Sequence, residues 1–211
     1  MPPYDLDQGL ARENLCRFLA ACYYQPGPEF AEENLFDSMQ DAASRIHPDL
    51  AADARRLGEE FAAEEAESLL LDYTRLFLGP TQIIAQPYGS VWLDAEKTLM
   101  GSSTIAVQEL YKEGGFEIDE SFRELPDHIA AELEFLYLLI FRENAAHQNG
   151  KPEGAQGIAS LRRRFLGEHL GRWVGPFTAS VRAGAQTGFY RRLAGLSNRF
   201  VQMEGTRDQA P

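Results

Sequence analysis

Ile129, Leu133, Leu136, Leu139 and Ile140 recur at spacings of three and four residues, which puts them on one face of a helix. A face that apolar must enter a core. The same period runs through most of the chain. Leu15, Phe18, Leu19 and Cys22 mark a first helix that ends before Gln25-Pro26-Gly27-Pro28. A second is expected from about Glu29 to Ser44, with Phe30, Leu35, Phe36 and Met39 inward. A third starts after His47-Pro48, with Leu50, Ala54, Leu57 and Phe61 as its stripe. Leu69, Tyr73, Leu76 and Phe77 continue the pattern until Gly79-Pro80 stops it. Further helices are expected over 96–113, 126–147, 156–168, 169–183 and 186–203. Strand alternation, hairpin signals and internal repeats are missing from the sequence, so the fold class is all-α.

At 211 residues and 44% hydrophobic content, the chain suits one domain with a sizeable core. Residues 1–205 read as a single compact multi-helix domain. Gln148-Asn149-Gly150-Lys151-Pro152-Glu153-Gly154-Ala155-Gln156-Gly157 reads as a flexible linker and hinge, with a C-terminal helical part after it. The chain from about 204 reads as a frayed end, with 206–211 a disordered tail. A net charge of −12 argues against nucleic-acid binding and favours a cationic partner. Cys16 and Cys22, six apart, fit neither a metal site nor a mutual disulfide and read as reduced, partly buried residues. The N-terminus has no signal-peptide pattern, and the longest apolar run, Phe135 to Phe141, is too short to span a bilayer. A cytoplasmic protein without stable membrane insertion is expected.

The chemistry concentrates in Glu124-Leu125-Pro126-Asp127-His128-Ile129-Ala130-Ala131-Glu132. Pro126 suits a first helical position, and Asp127 would then face the positive end of the helix dipole. His128 and Glu132, four apart, would share one helix face. A His and a carboxylate are too few ligands for zinc, and no His-Glu-x-x-His supplies more. No serine sits in a nucleophile elbow. Two readings stay open: Asp127 caps the helix while His128 holds a loop, or the cluster binds a partner's polar groups. If the second holds, replacing Asp127 and His128 together by Ala lowers affinity and leaves stability nearly intact. If only the first holds, the variant unfolds.

Three other segments are informative. Pro87-Tyr88-Gly89-Ser90-Val91-Trp92 is aromatic for a loop, and either covers the core or lines a groove. Leu99-Met100-Gly101-Ser102-Ser103-Thr104 could open a helix N-terminus to an anion, but it lacks a phosphate-loop Gly-Lys-Ser/Thr, so close packing at Gly101 is the simpler expectation. Arg162-Arg163-Arg164 and Arg191-Arg192 read as solvated helix faces.

In this order, Leu71-Asp72-Tyr73-Thr74-Arg75-Leu76-Phe77-Leu78-Gly79-Pro80, Pro87–Trp92, Leu99-Met100-Gly101 and Glu124–Phe135 resemble the TorD/DmsD/NarJ-like family of cytoplasmic chaperones for molybdenum-containing redox enzymes. The resemblance continues through His169-Leu170-Gly171-Arg172-Trp173 and Phe189–Ala194 and covers about residues 10 to 203. It implies an all-helical protein that is not an enzyme. Its partner would be the N-terminal, twin-arginine-type signal segment of an apo molybdopterin oxidoreductase, held for cofactor insertion before export or assembly. It implies peptide-binding positions at Tyr88, Ser90, Trp92, Pro126, Asp127, His128 and Glu132, with no catalytic or metal residues. Gly89 departs from the family, which commonly has an acidic residue there. The resemblance also implies guanine-nucleotide binding in some members, with no other cofactor, and a monomer or a helix-swapped dimer. The competing reading is a small metal- or nucleotide-dependent hydrolase built on Asp127, His128 and Glu132.

Overall fold

The computed structural model describes residues 4–27, 30, 34–79, 83–119 and 123–207. Those residues form an all-α bundle. Helix α1 spans Leu6–Ala21, started by Asp5, whose side chain accepts from the Gln8 amide at 3.0 Å. It packs Leu15, Cys16 and Leu19 against α2, Leu35–Ile46, and against α7, Ile129–Gln148. Helix α3, Pro48–Ala63, pairs with α2 and with α10, Gly188–Thr206. Pro48 opens α3 where its missing N–H costs nothing, and His47 Nδ1 accepts from the Asp49 amide.

Helix α4, Ala66–Tyr73, widens into a π turn at Thr74–Leu78 and stops at Gly79. Asp72 on α4 accepts from the Gln186 and Thr187 amides and the Thr187 hydroxyl at 2.8–2.9 Å. That carboxylate anchors the N-terminus of α10, where its charge also suits the helix dipole. Short helix α5, Gly89–Leu93, and α6, Ser102–Gly114, follow. Helix α8, Pro152–Phe165, passes through a second π turn, Leu166–Leu170, into α9, Gly171–Gly184. Tyr23, Phe77, Trp173, Phe177 and Tyr190 pack at the centre, with neighbouring ring centroids 5.3–6.2 Å apart.

Several expectations need correction. The flexible 148–157 linker is a tight turn at Asn149-Gly150-Lys151, with Gly150 at φ 63°. Pro152 then starts α8 instead of breaking a helix, since at the first position it has no bond to lose. Helix α6 begins at Ser102, not 96. Asp94 explains this: its carboxylate accepts from the Ser103 amide and from the hydroxyls of Ser102 and Ser103, and Gly101 lies against it. A carboxylate therefore already occupies the position an anion would need there. The start of the second helix near Glu29 lies largely outside the described residues, as do the last four residues of the tail.

The frayed end at 204 is also a correction. Helix α10 runs on to Thr206, and Glu204 is buried. Its carboxylate accepts two bonds from Arg12, at 2.7 and 2.5 Å. Arg162, expected in solvent, is fully buried: it donates to Glu143 at 3.0 Å and lies 3.5 Å from Glu204. Burial opposes the charge on Glu204, yet Arg12 and Arg162 hold its carboxyl below the usual range. Such a group stabilises the fold above its unfolded pKa and loses that contribution as pH falls through the folded value. Glu204→Gln leaves two buried guanidiniums short of a charge. It is expected to cost about 3 kcal/mol, seen as a lower urea midpoint with an unchanged slope.

Candidate functional site

The loop ahead of α5 and the turn ahead of α7 run antiparallel for one bridge, Tyr88 against His128. The Gly89 amide donates to the Asp127 carbonyl and the Ile129 amide to the Pro87 carbonyl, each at 2.8 Å. Asp127 adds a side-chain bond, accepting from the Ser90 amide at 2.8 Å. So Asp127 caps α5, across the bridge, and not its own helix. His128 caps α7, its Nδ1 accepting from the Ala130 amide at 3.2 Å. Pro126 lies in the preceding turn, its carbonyl accepting from Tyr111. The expected roles of Asp127 and His128 are exchanged, because the helix starts three residues later than the proline suggests.

Glu132 does not pair with His128. It turns into the core, where one oxygen lies 2.8 Å from His169 Nε2 and the other accepts from Trp173 Nε1 at 3.0 Å. A Cβ on Gly89 would come within 3.0–3.1 Å of Glu132, His169 and Trp173. Glycine here lets the loop close onto that buried triad, and the space an acidic side chain would need is already filled. His169 and Trp173 escaped the sequence reading as site residues. Their four-residue spacing within His169–Trp173 was the one signal, and nothing local connected it to a glutamate 37 residues away.

Ser90, Asp127, His128 and Glu132 are therefore interior, none more than 3% exposed. Asp127 Oδ1 and Ser90 Oγ are buried without a hydrogen-bond partner among the described residues. Tyr88, Trp92 and Pro126 remain part-exposed. Trp92 packs on the core edge and donates to the Gln86 carbonyl at 2.9 Å. Tyr88 OH donates to Glu124 at 2.6 Å, and Tyr24 OH to Glu134 at 2.5 Å. Burial, then these carboxylates, push both phenols well above their ordinary pKa, and the Glu124 charge also reaches Tyr73. The outer layer is thus a face of tyrosines holding two part-exposed carboxylates over a buried polar latch. Among the described residues, no group of three or more His, Cys, Asp or Glu side chains could hold a metal ion. No helix of the described residues is long and apolar enough to cross a membrane.

Burial pushes the His128 pKa down to about 4, against the pull of Glu124 and Asp127. For His169, burial also opposes charge, but the Glu132 carboxylate outweighs it and the pKa rises. The signs are opposite. His169 stabilises below its unfolded pKa, near 6.5, and loses that contribution as pH rises through its folded value. His128, neutral when folded, contributes above about 6.5 and loses stability as pH falls toward 4. Asn at 128 can keep a capping oxygen without titrating. Between pH 6.5 and 4 the wild type should therefore lose up to roughly 3 kcal/mol more than His128→Asn, measured by urea unfolding at each pH. Parallel curves would show that His128 does not titrate in this way.

The nitrate reductase delta subunit family matches residues 37–179. Among curated sequences, the Tat proofreading chaperone DmsD of Salmonella typhi is 33% identical over 117 residues, which are 56% of each chain. The chaperone protein TorD of Vibrio parahaemolyticus is 27% identical over 168 residues, 80% of this chain and 71% of that one. The chain thus spans little more than half the length of the DmsD sequence it matches. A solved structure from Archaeoglobus fulgidus, described as a redox enzyme maturation protein, superposes with a TM-score of 0.54 over 90% of this chain and 93% of the other. At 21% identity, that likeness bears on the fold alone. The relatives carry the names of chaperones, not of enzymes, and the family match covers most of the bundle and both halves of the latch. The chain belongs to the nitrate reductase delta subunit family and is similar to its TorD- and DmsD-type chaperones.

Proposed function

We infer that this chain is a cytoplasmic, non-catalytic chaperone for a molybdenum-containing oxidoreductase. It binds the N-terminal, twin-arginine-type signal segment of the apo-enzyme and holds it for cofactor insertion before export or assembly. The observation that carries this reading is the tyrosine-rimmed acidic face. Glu124 and Glu134 are part-exposed, each oriented by a phenol, in a protein of net charge −12. Guanidinium groups fit such carboxylates through charge-assisted hydrogen bonds, and the overall charge steers a basic segment toward them. Tyr88, Trp92 and Pro126 provide the contact surface. Ser90, Asp127, His128 and Glu132 act beneath it as positioning residues that fix the loop against α7. In a helix-swapped dimer, the 149–151 turn would serve as the hinge.

Because Asp127 and His128 are interior caps, replacing both by Ala would destabilise the fold and obscure any loss of affinity. Glu124→Gln and Tyr88→Phe are better probes, since both side chains reach solvent. A fluorescent peptide with two arginines followed by an apolar stretch should bind the wild type, more weakly as salt rises. Binding should weaken by about tenfold in Glu124→Gln, with the melting temperature shifted by only a few degrees. Equal affinity for a peptide with both arginines changed to Gln would sink the acidic-face reading. A wild type that binds neither peptide would sink the signal-segment reading altogether.

A further inference from the structure

Helix α7 carries apolar residues on more than the face it turns to the core. Ile129, Leu133, Leu136 and Ile140 point inward and are buried. Ala131, Glu134, Leu138 and Phe141 form a second stripe at the same helical spacing, and it is acidic only at Glu134. Leu138 is half-buried, Phe141 is 45% exposed, and Phe141 stacks beside Tyr137 with centroids 6.3 Å apart.

This stripe borders two adjoining cavities of about 530 and 370 Å³ that share Tyr24, Phe116 and Glu134. The larger lies between the end of α1 and α7, walled by Ala20, Ala21, Phe30, Phe116, Tyr137 and Leu138. Its lining is almost wholly apolar apart from Arg17 at the α1 side and Glu134 on α7. The smaller cavity adds Ile118 and Ala131 and is edged by Glu117, Asp119 and Glu134. Together they make a groove that is apolar in one half and acidic in the other. Tyr24, hydrogen-bonded to Glu134, stands at the junction. The charge of Glu124 reaches Tyr24, so the acidic half adjoins the face described above.

We propose that this groove seats the apolar stretch of the client's signal segment, with the basic residues before it lying at the Glu117, Asp119 and Glu134 end. The proposal rests on the signal-segment reading and adds where the segment lies and in which direction it runs. Charge complementarity identifies the occupant, because a wholly apolar segment would lay hydrocarbon against the exposed Glu117 and part-exposed Glu134 carboxylates, and a wholly basic one would leave the Phe116–Leu138 walls uncovered. From Ala131 to Leu138 the groove's wall runs roughly 10 Å along α7, room for a short apolar stretch and too little for a bilayer span.

Two variants and two peptides test the idea. Leu138→Glu puts a charge in the apolar half, at a half-exposed position. It should weaken binding of the arginine-plus-apolar peptide at least about tenfold and leave the circular dichroism unchanged. A control peptide whose apolar stretch is replaced by serines should bind more weakly and be indifferent to Leu138→Glu. Glu134→Gln should weaken binding only when the peptide keeps its arginines. In the wild type, a photoreactive residue in the apolar stretch should cross-link within 116–118 and 134–141, a readout that does not depend on any variant folding. Cross-links confined to 83–92, or wild-type affinity in a folded Leu138→Glu, would overturn the groove while leaving the signal-segment reading intact. A wild type that dimerises through this face, with Leu138→Glu monomeric and equal in peptide affinity, would assign the groove to a second copy and overturn the proposal. Failure of the wild type to bind the peptide would remove both.

Discussion

Two arginines and two glutamates meet out of water where α1, α7, α8 and α10 converge, and the closure of the bundle depends on them. Arg12 comes from the first helix, Glu204 from the last, and Glu143 and Arg162 from the long helix and its successor. Buried charges gain little over an apolar core of the same volume, but each is costly to leave without its partner. The network therefore penalises every arrangement in which the chain ends stay apart. It joins residues 192 positions apart in sequence and places α7 between α1 and α8. The candidate site is built around the start of that helix.

Glu132 and the two caps at the start of α7 exploit the rigid mounting. The loop before α5 is stitched to the turn before α7 by two backbone bonds and one carboxylate, and Gly89 lets it close over Glu132, His169 and Trp173. A carboxylate and an imidazole in the interior usually suggest catalysis. Here each is spent on a neighbour within the chain, and the groups that reach solvent are tyrosines, two glutamates and a half-buried apolar groove. That division is what the proposed recognition requires: a buried polar latch fixes the surface, and charge and apolar area lie on the outside.

Much of this was legible in the residues. The inward stripes on α1, α3 and α7 follow directly from period 3.6, and the order of motifs identified the family. The failures at charged residues share one cause. Arg162 looked like one of three solvated arginines, and Glu204 like part of a frayed end. Each is polar in its own neighbourhood and becomes interior only because a counter-group arrives from far along the chain. Pro152 and Pro126 were misplaced for the opposite reason: proline marks a boundary without saying on which side of it the helix lies.

The sequence by itself determined the helical class, the apolar faces and the identity of the charged motif, since these depend on interactions within a few residues. Only the tertiary structure decided which polar groups of that motif are visible to a partner. Asp127, His128 and Glu132 stand together in the chain, yet they cap α5, cap α7 and bind the α8–α9 turn region respectively. Adjacent side chains on a helix start point in different directions, and what each one meets is set by the elements packed there. The part-exposed side chains there are Tyr88, Glu124 and Glu134, whose exposure no local pattern encodes.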